Sequence, residues 1–146
     1  MGFRLSIKGK NEEIKLGMDN IISAKYKSDT PDDSDARATD VGLVLHVKGK
    51  IITPVNGEEA DDTKKFAKWS LVSAESSDAY RELTLEVISG DIVVRQIKMP
   101  NAFIVDYEED YTDKGGVGEF AATLKQKKEK TEFAEIEGGF EAAKEQ

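Results

Sequence analysis

His46 is the one histidine of the chain, and there is no cysteine. Few side chains are therefore able to act as a base or nucleophile near neutral pH. A hydrolytic centre needs a nucleophile held by a base, with an acid to orient that base. Ser23 and Ser73 are available as hydroxyls, but neither sits in a recognisable nucleophile motif. His46 falls on the polar side of the alternation Val41, Leu43, Leu45, Val47, which reads as a surface histidine. No His-Glu-x-x-His pair exists to hold zinc. The sequence assigns no catalytic residue, and the expectation is a protein that is not an enzyme.

The carboxylates are more numerous and better clustered. Residues 28–40 hold five Asp and one Pro. Oxygen-rich loops bind Ca²⁺, so the run from Asp29 to Asp40 supports an alternative reading as a small acidic, Ca²⁺-dependent β-sandwich binding module. The spacing is wrong for a helix–loop–helix calcium site. Counted from Asp33, position six is Ala38 where Gly is required and position twelve is Val44 where Glu is required. A solvated loop is preferred there. The acidic run from Asp106 to Asp113 is likewise read as an exposed face. Gly115-Gly116-Val117-Gly118 lacks the Lys-Ser/Thr of a phosphate loop and precedes a strand, so it is read as a hairpin loop. Lys125-Gln-Lys127-Lys128-Glu-Lys130 is the one basic stretch, read as a strand end or partner contact. Trp69 offers a stacking surface, but with Phe66 three residues earlier it is expected in the core. No cofactor and no metal ligand is assigned.

The chain has 146 residues and a formal charge of −8, with 34% charged and 38% apolar side chains. That length suits one domain with one core. The acidic balance argues against specific nucleic-acid binding, which needs a basic face. No window approaches the roughly 18 apolar residues of a membrane-spanning helix, so membrane insertion is not expected. The opening Met-Gly-Phe-Arg-Leu-Ser-Ile-Lys lacks the apolar core of a secretory signal, and cytoplasmic assembly is expected.

Period-two alternation supplies the elements. Phe3, Leu5 and Ile7 mark a first strand, followed by a turn at residues 9–11 and a return strand from Glu13 to Leu16. Further strands are expected from Ile21 to Lys27 and from Val41 to Lys48, with a turn at Gly49-Lys50 and the sheet resuming at Ile51. Asp61 and Asp62 suit the start of a helix running to about Leu71. Leu83, Leu85 and Val87 lead through Ser89-Gly90-Asp91 into a hairpin partner from Ile92 to Met99. Pro100 is expected to end that strand. Phe103, Val105 and Tyr107 form the next row, then Phe120, Ala122 and Leu124. A last short strand is expected within residues 132–137. The resulting fold is mainly β: two packed antiparallel sheets forming a small barrel or sandwich with one flanking helix, over residues 1–137. Residues 138–146 are expected as a flexible tail.

This order of segments resembles the Hcp-like tube proteins of type VI secretion systems and the related phage tail tube proteins. Four features carry the resemblance: the polar loop at residues 30–41 leading into a strand, the helix at residues 61–71, the hairpin at residues 83–99, and Ile97-Lys-Met-Pro-Asn-Ala-Phe-Ile-Val-Asp-Tyr107. The resemblance implies a structural protomer. Its rings, usually of six copies, stack into the hollow inner tube of a contractile injection machine. It also implies sheath, baseplate, spike or effector proteins as partners, and export as part of the particle. Thr30, Asp32, Asp33, Asp35, Arg37 and Asp40 are then the candidate oligomer-interface residues.

Overall fold

Phe3, Leu5 and Ile7 alternate with Arg4, Ser6 and Lys8, and this two-residue period sets which face of the first strand is buried. In the computed structural model, which describes residues 1–29, 42–52, 62–127 and 134–143, that strand is β1 (Gly2–Lys8), hairpinned to β2 (Glu13–Leu16). A second antiparallel pair is β3 (Ile21–Asp29) with β4 (Gly42–Ile51). Helix α1 (Asp62–Trp69) and a 3-10 turn (Ser77–Ala79) lead into β5 (Arg81–Ser89), β6 (Ile92–Asp110) and β7 (Gly118–Gln126). Two short strands, β8 (Glu135–Glu137) and β9 (Phe140–Glu141), follow.

The described strands make one antiparallel sheet in the order β2-β1-β5-β6-β7-β4-β3, with β8 and β9 added to β6. The mainly β class with one flanking helix agrees with the alternation, but the two sheets expected are one continuous run. The reason is β6, whose 19 residues pass without a break from β5 to β7. Ala102 pairs with Arg81 on one side and Gln126 on the other. Pro100 does not end the strand. Between the pairs Leu83–Met99 and Arg81–Ala102, β6 carries one residue more than β5, and Pro100 sits in that bulge, where its missing N–H costs no ladder bond. The sheet curls until β1 comes near β3, and it stays open, with no ladder joining them.

One core fills the concave side. Leu5, Ile7, Leu45, Leu85, Ile97 and Leu124 share it with Phe66 and Trp69 of α1. The helix has only eight residues, too few to hold by itself in water. Its stability comes from burying Thr63, Phe66 and Trp69 on one face. Phe66 contacts Trp69 edge-on with centroids 5.9 Å apart and meets Phe120 at 5.4 Å. Leu71, expected near the helix end, lies beyond it and is exposed.

Three further expectations are corrected. Gly49 is not a turn, because β4 runs through it to Ile51. The glycine is needed for close approach: a Cβ there would lie 2.5 Å from the Phe120 ring and 2.6 Å from the Asn20 carbonyl. The row Phe103, Val105, Tyr107 is split by a second bulge between Ile104 and Asp106. That bulge turns Val105 outward and brings Ile104 and Tyr107 against the core. The chain from Gly138 onward is no loose tail as far as Ala143. Phe140 pairs with Val93, Gly139 N–H donates to the Val93 carbonyl, and Ala142 N–H donates to the Asp91 carbonyl.

Candidate functional site

The groups able to do chemistry are scattered. His46 is exposed on β4, its Nδ1 3.0 Å from Thr123 Oγ1. Trp69 is buried, and its Nε1–H donates to the Ala79 carbonyl at 3.1 Å, so it offers no stacking surface. Among the described residues no group of three or more His, Cys, Asp or Glu is arranged to hold a metal ion. Thr30, Asp32, Asp33, Asp35, Arg37 and Asp40 lie outside the described residues, as does most of the Asp29 to Asp40 run. The 111–117 connection is a hairpin loop between β6 and β7, with Gly115 and Gly116 at φ +86 and +67. The basic stretch divides: Lys125 is exposed, Gln126 is buried, and Lys127 lies 4.9 Å over the Tyr80 ring.

One buried, ion-paired group was not foreseen. Arg81 is 5% exposed, and each of its three guanidinium nitrogens makes a hydrogen bond. Nη2 pairs with Asp78 at 2.7 Å, Nη1 with Glu12 at 3.2 Å, and Nε donates to the Asp78 carbonyl at 3.1 Å. The cation also sits 5.2 Å over the Trp69 ring. A buried arginine whose three nitrogens are each paired ties elements together rather than waiting for a ligand. It joins the β1–β2 turn, the 3-10 turn and α1. Asp78 is three residues away and readable, but Glu12 is 69 residues away, and no local pattern announces it.

The acidic run from Asp106 is exposed as expected, with one internal device. Glu109 accepts hydrogen bonds from Tyr107 Oη at 2.6 Å and Tyr111 Oη at 2.7 Å. The hydrogen bond to this carboxylate, followed by desolvation and by its charge, raises the Tyr111 pKa above the ordinary tyrosine value of 10.0. The phenol must give up that bond to ionise.

The sheet margins differ from one another. At β2 the margin is covered, because Asp62 Oδ2 accepts from Lys15 N–H at 2.8 Å and Lys65 Nζ donates to the Glu13 carbonyl at 3.4 Å. Besides the outer sides of the short strands β8 and β9, two longer margins have no strand partner among the described residues. They are the outer side of β3, and the side of β6 that β5 covers only as far as Ala102. Unpaired backbone along such margins is a template for another chain.

Charge sorts along the convex face between these margins. Directly opposite residues project from one face, and one row runs Lys25, His46, Thr123, Asp106 across β3, β4, β7 and β6. The next row runs Ser23, Lys48, Ala121, Glu108, and a third runs Lys50, Glu119, Asp110. The face is basic at β3 and acidic at β6. Lys25, Lys27, Asp106, Glu108 and Asp110 are all exposed, and none has an ion pair with a described residue. The sequence signal was present as period-two charge, but it becomes a gradient only once the strand order is known.

No family model and no curated protein matches the sequence. Solved structures do match. A chain of the six-fold symmetrised baseplate of the anti-feeding prophage aligns with a TM-score of 0.56 at 12% identity, covering 94% of this chain and 93% of that one. Hcp1 from Flavobacterium johnsoniae aligns with a TM-score of 0.52 at 13% identity, over 94% and 98% of the two chains. A chain of the anti-feeding prophage cap, described as tube-terminating, gives 0.51 at 12% identity over 93% and 89%. The fold is Hcp-like.

Proposed function

We propose that this chain is a structural protomer that assembles with its own copies into rings stacked as the inner tube of a contractile injection machine. The supporting observation is the Hcp-like fold, shared over 94% of this chain with chains of the anti-feeding prophage baseplate and Hcp1. The two open margins, one on β3 and one on β6, fit that reading. A head-to-tail contact uses two different surfaces of the same chain and closes into a ring when the rotation allows. In this reading six copies close the ring. Sheath, baseplate, spike or effector proteins are its further partners, and the chain assembles in the cytoplasm before leaving with the particle. The loop at residues 30–40 reaches to the neighbouring copy through Thr30, Asp32, Asp33, Asp35, Arg37 and Asp40. Static light scattering with negative-stain imaging of the purified chain tests the reading. Rings or filaments with several times the mass of one chain are expected. A single-chain mass at every concentration, with no ring in the images, would remove it.

A further inference from the structure

We infer that the ring contact is a charge-matched sheet junction: the basic margin of β3 on one copy lies beside the acidic margin of β6 on the next. This rests on the assembly reading above and names the surfaces that meet. Lys25 and Lys27 stand two residues apart on the convex face of β3. Asp106, Glu108 and Asp110 stand at the same spacing on the convex face of β6, because the bulge after Ile104 sets all three to that side. All five are exposed and lack an ion pair among the described residues.

Strand direction agrees. The run β6-β7-β4-β3 is antiparallel at each step, so β6 and β3 point in opposite senses. When a second copy is set beside the first without turning it over, its β6 meets β3 antiparallel, and the ladder continues across the boundary. Opposite charges then face one another across the new pair, which favours it. A copy that docks like margin to like margin sets Lys against Lys or Asp against Glu, which disfavours it. The occupant of each margin is therefore another copy of this chain, joined head to tail.

Two charge-reversed chains provide the test, Lys25→Glu with Lys27→Glu in one and Asp106→Lys with Glu108→Lys in the other. Wild-type chain assembles, and raised salt dissociates it, because exposed pairs are screened. Each reversed chain alone stays folded, judged by circular dichroism and melting, and requires at least about tenfold more protein to assemble. Mixing the two restores assembly, since each then presents the margin the other needs. A single chain carrying all four reversals also assembles. Reversed chains that assemble as wild type does, or a folded mixture that stays dissociated, overturn the junction while leaving tube formation intact. A wild-type chain that never associates overturns both. If a reversed chain fails to fold, the neutral pair Lys25→Gln with Lys27→Gln replaces it. Assembly that keeps its full salt dependence in that variant overturns the junction.

Discussion

At Gly49 the absence of a side chain decides the packing. An added methyl would meet the Phe120 ring and the Asn20 carbonyl, and that carbonyl already accepts Lys50 N–H at 2.6 Å. Gly49→Ala is expected to cost about 1–3 kcal/mol through overpacking, measured by urea unfolding. Phe66 and Trp69 present the opposite case. Each is buried by a helix that cannot stand alone, so truncation to Ala is expected to cost about 3–5 kcal/mol and to lower the melting temperature. His46→Ala, at an exposed site with one hydroxyl contact, is expected to stay within about 0.5 kcal/mol of wild type. Tyr111 provides a spectroscopic check. Its contribution favours the folded chain below the ordinary tyrosine pKa and fades as pH rises through the elevated folded value. In the difference between wild-type and Tyr111→Phe absorbance titrations, phenolate is expected to form above the pH of a free tyrosine. Formation at the ordinary value would show that the Glu109 hydrogen bond does not persist in solution.

Among the elements, α1 has two tasks. Its apolar face closes the core, and its first carboxylate closes the β2 margin. Asp62 also pairs with Lys65 at 3.4 Å, a partly exposed contact that adds little alone. The hydrogen bond to Lys15 N–H matters more, because it occupies a strand donor that would otherwise be open to another chain. Asp62→Ala is expected to lower stability by about 0.5–2 kcal/mol and to speed hydrogen exchange at the Lys15 amide. Unchanged exchange there would mean that water serves the margin equally well. β6 shows how one strand serves two neighbours. The bulge at Pro100 hands it from β5 to β7, and the bulge after Ile104 turns its carboxylates to the convex face. Strand existence was legible from alternation at almost every position. Bulges were not, because an extra residue in one strand is defined only against its partner.

For the whole molecule, the described part closes its own core and leaves two long margins, on β3 and β6, without strand partners. Removing part of residues 28–40 is expected to spare folding and weaken assembly. Circular dichroism and light scattering on the shortened chain separate the two effects. An unfolded product would make that loop part of the domain rather than of the contact. The resemblance carried by residues 97–107 pointed to the correct fold, although its central Pro-Asn-Ala lies within a strand and not at its end. The candidate contact residues at 30–40 and the charged rows at β3 and β6 are distinct proposals. The loop deletion tests the first and the charge reversals test the second.

Residue order alone settled most strand faces and the flanking helix at Asp62–Trp69, because a two-residue period and carboxylates at a helix start are local properties. It was silent on Glu12 meeting Arg81, on β6 joining what looked like two sheets, and on which margins stay open. Those depend on register between distant strands, and backbone ladders are indifferent to the side chains they carry. Only the assembled sheet turns scattered lysines and carboxylates into two opposed edges.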